Sequence, residues 1–186
     1  MRGNDISFNP VFFSYLLYFP AKGETPGHSE LFIHKAKVSD ESVQKHLADN
    51  RVEVHEYDAI YDRLKKLAEE KVKVGYEEND INYRLYNLIS STTCIHKETT
   101  FSLIKVVKNS VQMEGMRNCN IRDCAAIAKY FGWLENELKN GVVVDEFQGA
   151  RKVEYFRTEG ELYKGPSFDT ISSFGPNGAV IHYKPE

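Results

Sequence analysis

Ser167-Phe-Asp-Thr-Ile-Ser-Ser-Phe-Gly-Pro-Asn-Gly-Ala-Val-Ile-His-Tyr-Lys184 is the run on which the reading of the whole chain turns. Phe168 to Ser172 reads as a strand, Gly175-Pro-Asn-Gly178 as a tight turn, and the residues after it as a second strand ending on His182. A hairpin that carries one imidazole into a cleft suits an active site, because imidazole titrates near neutral pH and can both give and take a proton. Taken alone, His182 reads more readily as an ordinary strand histidine. The residues by themselves leave both readings open.

Working back from this run, residues 145 to 158 carry a helical pattern, with Asp145 at its start. Ser110 to Leu138 is the longest helical stretch, with Met116, Ile121, Ala125, Ala128, Trp133 and Leu134 as an irregular apolar stripe and Asn140-Gly141 as its stop. The character of the chain changes between Lys105 and Ser110, which predicts a domain boundary near Asn109. The two parts are then residues 1–109 and residues 110–186.

The first part alternates strand and helix. Val11 to Phe19 and Glu30 to Val38 read as strands joined by the loop Pro20 to Gly27. Ser39 is expected to cap a short helix carrying Val43 and Leu47, with a left-handed stop at Asn50. Val52 to Tyr57 is the next strand. Asp58 opens a helix with Ile60, Leu64 and Leu67 on one face. Val72 to Tyr76 is a further strand, and Asn79-Asp80 opens a helix with Ile81, Leu85 and Leu88. Strands alternating with helices of this length predict an α/β layer around a mixed sheet.

Composition sets the outer limits. Charged residues are 27% and hydrophobic residues 41% of the 186, ordinary values for a globular chain. The formal charge of −3 offers no electrostatic case for nucleic acid as a partner. No apolar run approaches the ~18 residues of a membrane-spanning helix. Three cysteines without regular spacing suit a reducing compartment, and Cys119 and Cys124 fall on different faces of one helix. The expected location is cytoplasmic, without a membrane partner.

Several short runs, in order along nearly the whole chain, resemble one family. They are Arg2-Gly-Asn-Asp-Ile-Ser-Phe-Asn-Pro-Val-Phe-Phe-Ser-Tyr15, Lys105-Val-Val-Lys-Asn-Ser110, Glu114-Gly-Met-Arg117, Trp133-Leu-Glu135, Phe156-Arg157 and the terminal run quoted above. Each four-residue piece is weak, but their order and the long last motif resemble the Xaa-Pro aminopeptidases (aminopeptidase P) of the eukaryotic cytosolic type. These are creatinase-like, pita-bread metallopeptidases. A creatinase-like hydrolase fits less well, because the Ile-Ser-Ser-x-Gly-Pro-Asn-Gly-Ala run is closer to the peptidases.

The resemblance implies a fold and a function. Residues 1–109 would be the second creatinase-type N-terminal α/β domain with a mixed sheet. Residues 110–186 would be the incomplete start of a pita-bread α+β catalytic domain. Met1 falls where the family is in mid-strand, so the chain resembles an internal fragment.

Full-length members are expected to hydrolyse the bond between an N-terminal residue and a following proline. They do so with two divalent metals, usually manganese, which lower the pKa of a bridging water and polarise the scissile carbonyl. The ligating aspartates, histidine and glutamates would follow Glu186, so no metal is expected on this chain and it is expected to be inactive alone. The resemblance gives His182 a place in the substrate cleft, binding substrate and assisting proton transfer. Asn120 stands where the family commonly has a histidine. An alternative is a non-catalytic pita-bread relative that binds proteins or peptides.

Other acids and histidines carry weaker cases. Asp123 and Asp145 read as solvated or capping acids. His28 and His34 have no metal-ligand partner at a recognised spacing.

Overall fold

The computed structural model describes residues 3–77, 80–89, 95–96 and 100–186. The chain divides into two compact units. The first runs to Val106 and the second from Val107, except that residues 7–9 fall in the second.

In the first unit, strands β1 (Tyr15–Phe19), β2 (His28–Phe32) and β3 (Val52–His55) form a sheet in the order β1-β2-β3. β1 pairs antiparallel with β2, with Tyr15 opposite Phe32. β2 pairs parallel with β3, with Ser29 opposite Val52. The sheet is therefore mixed, and β2 is its centre.

A central strand that is covered on both faces must be apolar or paired on both. β2 meets that condition by alternation. Leu31 and, just past the strand, Ile33 pack with Val38, Leu47, Val43 and Val52, on the side of helix α1 (Glu41–Asp49). Phe32 packs with Ile60, Leu64 and Leu67 of α2 (Ala59–Glu69) and with Leu85 and Ile89 of α3 (Tyr83–Ile89). Glu30 is buried on the strand yet satisfied. Arg63 of α2 grips it with Nε at 2.8 Å from one carboxylate oxygen and Nη2 at 2.8 Å from the other. That fork is the geometry in which a buried carboxylate is least costly.

Several element ends differ from those the sequence predicts, for identifiable reasons. The first strand starts at Tyr15 rather than Val11, because the backbone just before it is engaged elsewhere. Val11 accepts from the Asp5 amide at 3.1 Å, and the Asp5 carboxylate accepts from the Phe13 amide at 2.7 Å. Gly3 lies so close to this segment that a Cβ would meet the Val11 carbonyl oxygen at 2.1 Å.

The second strand ends at Phe32. A short 3₁₀ helix, Lys35–Val38, replaces its expected tail, with Lys37 donating to the His34 carbonyl at 2.9 Å. Helix α1 is capped by Asp40 rather than Ser39, since the Asp40 carboxylate accepts from the Ser42 amide at 2.9 Å. The left-handed residue after α1 is Arg51, one past Asn50. After α2 the chain stays in a Schellman turn, with Lys71 left-handed and Val72 donating to the Leu67 carbonyl at 3.0 Å. Only Gly75–Tyr76 (β4) is then extended, paired parallel with β5 (Ile95–His96). The expected helix start at Asn79 lies outside the described residues. Asn82 accepts from the Leu85 amide at 3.0 Å and so caps α3. A short helix, α4 (Thr100–Val106), closes this part of the chain.

The second unit is built on α5 (Ser110–Lys139) and α6 (Glu146–Thr158). Both open with a capping box: Asn109 with Gln112, and Asp145 with Gln148. Left-handed Gly141 ends α5, and Val142 donates back to the Glu137 carbonyl at 3.0 Å. The two helices pack on each other, with Ala126 buried on α5 and Gly149 and Val153 buried on α6. A Cβ on Gly149 would lie 2.8 Å from the Tyr130 hydroxyl, so the small residue allows this approach.

Candidate functional site

The terminal run does not form the expected strand pair. Residues 167–174 are irregular, and the Gly175–Ala179 turn is a 3₁₀ helix with Pro176 in its first turn. An isolated two-stranded hairpin is marginal without a further strand or a packed face, and no strand of the second unit is available among the described residues.

Side-chain hydrogen bonds from α6 take over instead. Glu146, at the first position of that helix, accepts from three donors of the terminal run. They are the Phe174 amide, the Asn177 side-chain amide at 3.0 Å and the Tyr183 hydroxyl. Asn177 also lies 3.0 Å from the Tyr183 hydroxyl, which closes the triangle. The Tyr183 bond, followed by the Phe174 amide, holds the Glu146 carboxyl below the usual carboxylate range. The same bond pushes the Tyr183 phenol up.

His182 sits between these fixed points. The Val180 amide closes the turn on the Asn177 carbonyl at 3.0 Å, and beyond the histidine Lys184 pairs with Asp169 at 3.0 Å. His182 itself is exposed, with a left-handed backbone at φ 55°. Its imidazole therefore points from a constrained backbone with both ring nitrogens free for a ligand among the described contacts.

A groove of about 650 Å³ lies elsewhere on the same unit, lined by Met116, Asn120, Arg122, Phe168 and Ile171 among others. His182 does not line it. Asn120, the departure from the family pattern, does line it and donates to the Met116 carbonyl at 2.8 Å. Asp123 is held by Arg157 at 2.6 Å, and Asp145 is occupied as a helix cap. Asp145 thus caps a helix, whereas Asp123, expected to be solvated or capping, is ion-paired and lines the groove.

His28 stacks on Phe19 at 4.7 Å, while His34, outside the strand, stacks on Tyr57 at 5.1 Å. The two are not gathered at one site. Cys119 and Cys124 are free and exposed on α5.

Among the described residues no group of three or more His, Cys, Asp or Glu side chains could hold a metal ion. These residues do not fit the dinuclear centre that the resemblance implies. Glu146, Asn177 and Tyr183 are the site residues that sequence reading missed. Their only signals were an acid at a helix start and an asparagine inside a turn, both common for local reasons.

The chain thus combines a mixed-sheet α/β unit with a helical unit that ends in this terminal run. Residues 1–112 match the Creatinase/Prolidase N-terminal domain family and residues 114–186 match Metallopeptidase family M24. The chain belongs to the creatinase/prolidase family.

Its relatives include a probable Xaa-Pro aminopeptidase P of Tuber melanosporum, 42% identical over 202 residues, covering 100% of this chain and 31% of that protein. Another, from Aspergillus fumigatus, is 44% identical over 196 residues, covering 100% of this chain and 29% of that protein. Among solved structures, the X-prolyl aminopeptidase of Caenorhabditis elegans, described as a cytosolic enzyme with a di-nuclear active site, superimposes with a TM-score of 0.86. The two are 31% identical, over 100% of this chain and 30% of the other. The chain thus spans about 30% of the length of these relatives.

Proposed function

We propose that this chain serves in an Xaa-Pro aminopeptidase, which releases an N-terminal residue from peptides with proline in second place. Residues 1–109 act as its second N-terminal domain and residues 110–186 as the opening of its catalytic domain. The observation that carries the reading is the superposition over 100% of the chain on an X-prolyl aminopeptidase, at a TM-score of 0.86. His182 is the residue of this chain that contacts substrate, giving or taking a proton at the reacting amide. The metals, manganese by preference, are held by residues outside those described here, and the 186-residue chain has no turnover without them. The working location is the cytoplasm.

A second reading is a non-catalytic binding module. It draws on the apolar side chains exposed on the second unit, with Val143 at 89%, Phe174 at 86% and Ile181 at 85% exposure.

Two measurements separate the readings. The intact mass of the protein in its own cells, by immunoblot and mass spectrometry, is expected to be several-fold above 21.4 kDa for the peptidase and 21.4 kDa for the module. Manganese-dependent release of arginine from Arg-Pro-Pro is expected from the heavier species and not from the purified 186-residue chain. Robust turnover by the purified chain overturns the assignment of the metal ligands to other residues.

A further inference from the structure

The mechanism proposed above uses His182 and leaves Glu146 without a role. Yet Glu146 carries the densest set of hydrogen bonds in the second unit. Its carboxylate accepts from a backbone amide at Phe174, a side-chain amide at Asn177 and a hydroxyl at Tyr183. Phe174 precedes the 3₁₀ turn, Asn177 lies within it, and Tyr183 follows it, one residue from His182. A carboxylate has about four acceptor sites, so three donors nearly saturate it and fix their mutual positions. Its own place is fixed in turn, because it occupies the first position of α6, directly after the Asp145 N-cap, within the Asp145–Gln148 capping box and at the positive end of the helix dipole.

The backbone at His182 gives independent support. A left-handed φ of 55° at a residue other than glycine persists only where the surroundings over-determine it. Here the surroundings are the Tyr183–Glu146 bond on one side, the Val180–Asn177 turn on the other, and the Lys184–Asp169 pair beyond. His182 has no hydrogen bond of its own among the described residues, so its direction is inherited from its neighbours.

We propose that Glu146 is a positioning residue for His182: by gathering the Phe174 amide, Asn177 and Tyr183 on one carboxylate, it sets the direction in which the imidazole is presented to substrate. The part of this statement that concerns substrate rests on the aminopeptidase reading. The clamp itself does not.

The experiment has two arms. In the first, the isotope-labelled 186-residue chain is studied by nuclear magnetic resonance. The His182 ring correlations and the exchange rate of the Phe174 amide are followed in Glu146→Gln, Glu146→Ala and Tyr183→Phe. Glu146→Gln and Tyr183→Phe keep the shape of the side chain, so they stay informative even where Glu146→Ala disturbs α6. Expected are a shifted or broadened His182 ring signal in both isosteric variants, with unchanged helical circular dichroism. Phe174 amide exchange is expected to be about tenfold faster in Glu146→Gln, the effect of losing one charge-assisted hydrogen bond. A His182 signal and a Phe174 exchange rate identical to wild type in both variants overturn the clamp.

In the second arm, Arg-Pro-Pro turnover is measured with protein of native length expressed in its own cells. There His182→Ala is expected to lower kcat/KM. Glu146→Gln is expected to lower kcat with little change in KM, a split that a purely structural role does not produce. A clamp that responds in the first arm, together with turnover that ignores His182→Ala, overturns the substrate role of His182 and leaves the positioning of its side chain by Glu146 standing.

Discussion

The two units of this chain are held together by different physics. In the first, Phe32, Ile33, Ile60 and Ile89 are essentially removed from water, and two apolar clusters cover opposite faces of β2. In the second, the buried apolar side chains are Ala126 on α5 and Val153 on α6, both small. Large ones such as Phe131, Phe168 and Phe174 stay exposed. The order of the second unit comes from helix caps, the Arg157–Asp123 and Lys129–Glu159 pairs, and the Glu146 clamp. Burial is additive and indifferent to direction, whereas hydrogen bonds specify direction and contribute little net stability. The first unit is therefore built for stability, and the second for the placement of particular groups.

Truncating the core should show the contrast most strongly. Phe32→Ala is expected to cost about 3–5 kcal/mol and to abolish the urea transition of the first unit. Val153→Ala in the second should cost roughly 1–2 kcal/mol, from the two methyl groups removed. Equal losses at the two positions, by denaturation with a probe in each unit, would erase the distinction.

The buried pair comes next. Glu30→Gln leaves Arg63 without its partner, and the arginine is drawn toward protonation mainly by that carboxylate. Because Arg63 keeps part of its side chain in water, the expected loss is about 1–3 kcal/mol, below that of a wholly buried pair. Arg63→Met in the same background should restore part of it.

Caps act more weakly. Asn109→Ala and Asp145→Ala should each lower helix stability by about 1 kcal/mol, read from circular dichroism melts, with no effect on the first unit.

Acid should act most locally of all. The Glu146 carboxyl is held below its ordinary range by Tyr183 and the Phe174 amide. Its contribution is therefore complete above the unfolded carboxylate pKa, and it is lost as pH falls through the lower folded value. Phe174 amide protection, corrected for intrinsic exchange, should decline on acidification before the helical signal does. In Glu146→Gln this acid step should be absent.

The sheet and its helices were legible because apolar spacing reports which face is buried, and Ile60, Leu64 and Leu67 land on the core as their spacing implies. Element ends were less so. Whether Ser39 or Asp40 caps α1, or where β1 begins, depends on which side chain reaches a free amide, as Asp5 does at Phe13. The strand pair expected around Gly175–Gly178 was read from residue types alone. A strand also needs a neighbour, and Glu146 captured the amide and side chains of that run instead.

By itself the sequence determined the α/β class, the mixed sheet, the two long helices and the family, because each follows from local periodicity or from motifs in order. It also singled out His182. Only the tertiary structure decided that Arg63 satisfies Glu30 from 33 positions away, and that Glu146 organises a run beginning 28 positions downstream. The reason is physical. Periodicity is a property of neighbours in the chain, while a carboxylate chooses its donors by distance in space.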